Sequence, residues 1–114
     1  MDMKNLSDAI RAFSVERDWE QFHAPKNLAI AVSVEAAELL EVFQWLTLEQ
    51  SESLPAENMA EAKDEIGDVM ICLINLCNRL GIDPVAAAAE KLEKVKLKYP
   101  VEKAKGMATK YSKL

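Results

Sequence analysis

Two pairs of acidic residues have the composition and spacing of a metal site. Glu35 and Glu38 are three positions apart, and so are Glu65 and Asp68. Side chains at positions i and i+3 of a helix lie on one face, about 5–6 Å apart between their Cβ atoms. Two such pairs on facing helices would gather four carboxylates around one point, where repulsion and desolvation demand a neutralising cation. Mg²⁺, which binds carboxylates together with water and substrate phosphates, suits this set.

The residues around the two pairs distinguish a buried site from an ordinary acidic surface. Pairs of the form Glu-x-x-Glu are common on exposed helices, and alone they would predict solvated charge. Here apolar residues occupy most of the circumference of both segments, and a helix that is apolar nearly all round is buried. We therefore favour the metal site, and the sequence leaves open whether Glu41 or Glu61 joins it.

The remaining side chains restrict the chemistry. The single histidine, His23, lies outside both pairs, which argues against a di-iron site built on Glu-x-x-His. No GxxxxGK[ST] loop is present, so the chain is not a P-loop enzyme. An all-carboxylate magnesium site without an evident Ser, Cys or His nucleophile points to phosphoryl-type hydrolysis by an activated water.

Apolar periodicity predicts that these residues are carried by an all-α, four-helix bundle with short connections. Ser7 or Asn5 can cap the first helix, Gly81 ends the third and Asp83 caps the fourth. We expect a single domain over residues 1–114, with roughly 100–114 as an extended C-terminal tail. The predicted helices span residues 4–22, Pro25 to about Leu46, about Ala56 to Leu80, and Pro84 to Lys98, with a polar connection from Thr47 to Pro55.

Composition excludes several other classes of protein. Of 114 residues, 50% are hydrophobic and 29% charged, which suffices for a core, and the net charge is −5. Residues 90–114 carry eight Lys and three Glu, whereas residues 1–89 carry six basic and sixteen acidic side chains. A nucleic acid polymer is therefore an unfavourable partner for the acidic body, because phosphate neutralisation dominates such binding.

The chain also lacks the features of a membrane or secreted protein. It has no run of 18 apolar residues, and its first residues do not form a secretory signal. Cys72 and Cys77 are five positions apart, which on a helix points them away from each other and prevents a disulfide. We expect a cytoplasmic protein with no membrane partner.

The motifs resemble a known family. Glu35-x-x-Glu38, followed after 26 intervening residues by Glu65-x-x-Asp68, resembles the signature of the MazG-like all-α nucleoside triphosphate pyrophosphohydrolases. The stretch RDWEQFH from Arg17 to His23, Phe43-Gln44-Trp45 and the late Lys98-Tyr99-Pro100 are similar to the dCTP pyrophosphatase branch. The resemblance implies Mg²⁺-dependent hydrolysis of a nucleoside triphosphate to monophosphate and pyrophosphate. It also implies nucleotide pool cleansing, by a homodimer or homotetramer.

The resemblance further implies a role for each matching residue. Glu35, Glu38, Glu65 and Asp68 would be Mg²⁺ ligands (Mn²⁺ being a substitute), and Glu35 and Glu38 the catalytic pair, Glu38 acting on the attacking water. For the aromatic residues the alternative is core packing, for the lysines a solvated helix face, and for the histidine a local cap. The implied substrate-binding residues are Trp19, Trp45, Arg79, Lys91, Lys94, Lys98 and His23.

Two departures from the family pattern leave the substrate open. Val95 stands where relatives usually carry Asn, and Cys72 where some carry Tyr. Valine cannot replace the hydrogen bonds of an asparagine. We expect dCTP or a 5-modified dCTP first, and dUTP or dATP as alternatives. The alternative to an enzyme is a non-catalytic helical interaction module, a catalytically silent helical module whose apolar helices assemble with a partner.

Overall fold

The computed structural model describes the whole chain, Met1–Leu114, and confirms the all-α class. It contains six α-helices rather than four, and no strand. The two additional helices have four residues each. The α-helices are α1 (Met3–Glu16), α2 (Pro25–Phe43), α3 (Leu48–Ser51), α4 (Ala56–Leu80), α5 (Pro84–Lys98) and α6 (Val101–Ala104), and 3₁₀ turns cover Glu20–Phe22 and Tyr111–Lys113.

The first helix is shorter than its apolar pattern predicts. It is capped by Asp2, whose carboxylate accepts a bond from the backbone N–H of Asn5 at 2.8 Å, and not by Ser7 or Asn5. It ends at Glu16 because Asp18 adopts a left-handed backbone with φ 54°. The apolar positions beyond this point, including Trp19, are therefore carried by a turn and a 3₁₀ segment.

The second helix also ends early, at Phe43 rather than near Leu46. Thr47 has an extended backbone and forms a capping box with Gln50, in which each side chain bonds the other residue's N–H. That box starts α3 inside the segment predicted as a polar connection. Trp45 consequently lies in a turn instead of on the second helix.

The bounds of α4 agree with prediction, because its end signals are unambiguous. Gly81 has φ 68° and closes the helix in the left-handed conformation. The Asp83 carboxylate then accepts bonds from the N–H groups of Val85 and Ala86 and starts α5 at Pro84. No disulfide joins Cys72 and Cys77, as their spacing predicts.

The chain forms two compact units, Met1–Ile82 and Asp83–Leu114. In the first, α2 packs along α4 and α1 also contacts α4. In the second, which contains α5, the ring of Tyr99 meets that of Tyr111 edge-on, with centroids 5.9 Å apart. Residues 100–114, predicted as an extended tail, contain α6 and a 3₁₀ turn. The buried apolar residues, all in the first unit, are Ile10, Leu28, Ala62, Ile74 and Cys77.

No individual helix combines the length and the hydropathy that crossing a membrane requires; only α4 and α5 counted together reach those values.

Candidate active site

The structure brings the two acidic pairs together. Glu35 and Glu38 on α2 face Glu65 and Asp68 on α4, and one carboxylate oxygen from each lies within 4.8 Å of the others. Glu35 and Glu65 are half-buried, while Glu38 and Asp68 are exposed. We call these four residues the acid cluster.

The acid cluster carries charge that the chain itself does not neutralise. The Oε2 atoms of Glu35 and Glu65 are buried without a hydrogen-bond partner. A hydrogen bond with Glu38, loss of hydration and the neighbouring carboxylates raise the pKa of Glu35. Burial and the charges of Glu38 and Asp68 raise the pKa of Glu65. Hard oxygen donors left unpaired in this way fit a divalent cation.

Further acidic residues flank the acid cluster without joining it. Glu41 and Glu61, whose participation the sequence left open, line a cavity of about 340 Å³ beside Glu38 and Glu65. Asp64 lines the same cavity and contributes to the raised pKa of Glu65. The four oxygens that meet are nevertheless those of the two predicted pairs.

Further along α4, past Asp68, lies an apolar cavity of about 590 Å³, which we call the aromatic cavity. Its size is that of a small-ligand site. Phe13 and Trp19 meet edge-on within it, with ring centroids 5.5 Å apart. Phe22 and Leu28 extend this surface. Flat, π-rich walls of this kind can bind an aromatic ring without selecting its identity.

Cys72 connects the acid cluster to the aromatic cavity. It lines the cavity and lies one helical turn beyond Asp68 on α4. Burial and the charges of Glu35 and Asp68 raise the pKa of its thiol. A thiol held neutral is a poor nucleophile, in agreement with chemistry carried by water rather than by a cysteine.

A second, polar cavity of about 270 Å³ borders the aromatic one. Arg11 and Arg79 supply its cationic groups, and Glu20 is its acidic residue. Ser14, His23 and Asn75 line both cavities. We call this second space the polar cavity.

The predicted substrate-binding residues are distributed unevenly over the structure. Trp19 and His23 line the aromatic cavity, and His23 and Arg79 line the polar one. Trp45 is 87% exposed and lines neither cavity. The three predicted lysines all lie on α5; they are Lys91, Lys94 and Lys98. The Nζ atom of Lys98 lies 4.6 Å from the ring centroid of Tyr111.

Several residues of these cavities were not identified from the sequence. Ser14 and Arg11 lie on α1, which was interpreted only through its apolar positions. A signal for Ser14 does exist, since it follows the buried Ile10 by four residues and therefore shares its face. Asn75 follows Asp68 by seven residues and so shares its face of α4, but nothing in the sequence places it between two cavities.

The chain is similar in sequence and in fold to known pyrophosphatases. Residues 30–114 match the model of the MazG-like family. The dCTP pyrophosphatase 1 proteins of Mus musculus and Homo sapiens are 39% and 36% identical to the chain over 104 residues each, covering 90% of it. The chain spans 61% of the length of these curated relatives. A pyrophosphatase structure from Archaeoglobus fulgidus has a TM-score of 0.81 and 41% identity, covering 86% of this chain and 92% of that one.

Proposed function

The chain belongs to the MazG-like family, and from that premise we propose that it hydrolyses a deoxynucleoside triphosphate to the monophosphate and pyrophosphate. The observation that carries the proposal is the acid cluster, four carboxylate oxygens within 4.8 Å of one another, adjoining an aromatic cavity. The names of the relatives support the same reaction class, and dCTP or a modified dCTP is the first substrate to test.

In this proposal Glu35, Glu38, Glu65 and Asp68 hold Mg²⁺, for which Mn²⁺ can substitute. Carboxylate oxygens suit both ions. The bound metal supplies charge neutralisation and polarisation of the phosphates. The two buried oxygens of Glu35 and Glu65, which have no partner in the chain, are the ones that gain most from this neutralisation.

The chain's own residues then position the water and the base. Glu38, exposed beside the half-buried Glu35, orients the attacking water and accepts its proton. The water oxygen bonds to the α- or β-phosphorus, and the bond from that phosphorus to the oxygen bridging the two breaks. Either attack releases monophosphate and pyrophosphate. Trp19 stacks on the base inside the aromatic cavity.

We further propose a cytoplasmic homodimer or homotetramer with no nucleic acid polymer and no membrane among its partners. Two cysteines that form no disulfide, Cys72 and Cys77, suit a reducing compartment. Exposed apolar side chains along α2 and α4, such as Ile30 and Ile66, support self-association.

The test is pyrophosphate release from a panel of deoxynucleoside triphosphates, with and without Mg²⁺. We expect turnover that requires the metal, and a loss of at least about a hundredfold in Glu38→Gln and Asp68→Asn, since even partners of metal ligands change activity by that much. Glu57→Gln, on the exposed first turn of α4, is the matched control and should retain full activity. A wild-type chain that hydrolyses nothing and is not stabilised by Mg²⁺ would favour the silent helical module instead.

A further inference from the structure

The three regions of the site follow one another along α4. Asp68 belongs to the acid cluster, Cys72 lines the aromatic cavity, Asn75 lines both cavities, and Arg79 lines the polar cavity. With a rise of 1.5 Å per residue, the helix separates Asp68 from Arg79 by about 16 Å. A ligand whose anionic end lies at the acids, and whose ring lies among the aromatic residues, therefore directs the far edge of that ring towards the polar cavity.

Polar side chains without partners lie where that edge would be. Ser14 is only 3% exposed, yet its hydroxyl makes no hydrogen bond within the chain. The side-chain amide of Asn75 makes none either. Both residues line the two cavities. The buried unpaired oxygens of the chain are those of Glu35 and Glu65, so the polar atoms of Ser14 and Asn75 are accessible from the cavities and can bond a ligand there.

Asn78, a second asparagine close to Asn75, has a structural role, because its side chain is hydrogen-bonded within the chain. Asn78 lies three residues beyond Asn75 and lines the polar cavity. Its Oδ1 accepts bonds from Ser7 Oγ at 2.6 Å and Arg11 Nη2 at 3.3 Å, and its Nδ2 donates to the Ser7 carbonyl at 3.2 Å. Asn78 thus holds α1 against α4, while Asn75 remains available to a ligand.

We propose that Asn75 and Ser14 determine base specificity by hydrogen-bonding the edge of the nucleobase remote from the sugar. This inference rests on the proposed function. The walls at Phe13 and Trp19 can stack any base, whereas a side-chain amide offers one donor and one acceptor together. The N3–C4 edge of a pyrimidine presents the complementary pair. Purines present a similar pair on another edge, so the choice of a pyrimidine comes from the proposed function, and for dCTP the edge bound is N3 with the C4 amino group.

The experiment compares kcat/KM for dCTP, dUTP, dTTP, dATP and dGTP in the wild type and in Asn75→Ala. We expect the preference for the best pyrimidine over the worst substrate to fall about tenfold or more, because the base loses a bond and leaves an unpaired group. The loss should lie mainly in KM of the preferred nucleotide. Asn58→Ala, on the same helix but outside both cavities, should preserve every ratio.

Ser14→Ala provides a second test, which keeps the proposal testable if the Asn75→Ala variant does not fold. It removes one oxygen from a buried site and should lower the same ratio in the same direction. Equal losses for all five nucleotides, unchanged ratios in an active enzyme, or a wild type without base preference would each overturn the assignment while leaving the proposed function standing. A wild type that hydrolyses none of the five would overturn both.

Discussion

Glu35 and Glu65 are the residues at which the site and the stability of the chain conflict. Each is half-buried and each has a carboxylate oxygen without a partner. Their pKa values lie above the ordinary range, Glu35 through its hydrogen bond with Glu38 and Glu65 through burial. The folded chain therefore binds protons more tightly at these two carboxylates than the unfolded chain does. A metal cation can replace those protons.

This linkage predicts how stability depends on pH. A carboxyl with a raised folded pKa contributes stability that is fully present below its unfolded pKa and is lost as the pH rises through the folded value. Without metal, the contribution of Glu35 and Glu65 should thus decline from about pH 4.5 upward. Added Mg²⁺ or Mn²⁺ should raise the Tm more at about pH 7.5 than at about pH 5, because protons compete for the same oxygens.

Differential scanning calorimetry of wild type beside Glu35→Gln checks this. The variant, having no charge to lose at position 35, should show a flatter pH profile and a smaller metal-induced shift. Equal metal-induced shifts in both proteins at both pH values would contradict a role for Glu35 in cation binding.

At this scale, the spacing of the two i, i+3 pairs, taken together with the apolar residues around them, predicted that the four acids meet. Trp45 could not be placed in the same way, because its position depends on where α2 ends, and the Thr47 capping box decides that. The role of Ser14 depends on a cavity formed by α1, α4 and the 3₁₀ segment together, and no local pattern encodes such a space.

Among the elements, the helix ends marked by a glycine or by an aspartate cap were predictable. The ends of α1 and α2, where the apolar pattern continues beyond the helix, were not. Gly81 and Asp83 made the boundary between α4 and α5 predictable. A glycine that ends one helix and an aspartate that caps the next are strong local signals when they lie two residues apart. The end of α1 depends on a left-handed Asp18, which no residue preference requires. Periodicity continued past that point and was misleading.

The two glycines of the α4 region should respond oppositely to alanine. Gly81 has φ 68°, so Gly81→Ala forces an unfavourable left-handed backbone and should cost about 1–2 kcal/mol in the free energy of unfolding. Gly67 lies inside α4 with nothing within 4 Å of an added Cβ, and Gly67→Ala should stabilise by about 0.5–1 kcal/mol.

Urea unfolding monitored by circular dichroism measures both variants under the same conditions. A destabilising Gly67→Ala would contradict the open space around α4 and indicate that another backbone approaches there in the assembled protein.

For the whole molecule, large apolar side chains are more often exposed than buried. Fully buried apolar side chains are few, whereas α2 and α4 expose several large ones. We interpret these exposed apolar side chains as an interface between copies of the chain. The exposed set on these two helices includes Ile30, Val34, Leu40, Ile66, Met70 and Leu73.

We therefore expect a mass in light scattering of at least twice the 12.7 kDa of one chain at micromolar concentration. Leu40→Lys, which places a charge on a side chain now 58% exposed, should shift the protein towards monomer. Val15→Lys, at 55% exposure on α1, is the control and should leave the mass unchanged. A wild-type monomer would contradict the interpretation of this surface as an interface.

The continuity of α4 limits how this protein can acquire a new substrate. Asp68, Cys72, Asn75 and Arg79 stand on one unbroken helix, so their separations are set by its pitch and not by a loop that can lengthen. Inserting a single residue between them would rotate everything beyond it by about 100° and remove Asn75 from the face it shares with Asp68. Substrate preference can therefore diverge in descendants of this chain through side-chain exchange at positions 72, 75 and 79, while insertions into that segment are expected to be eliminated by selection.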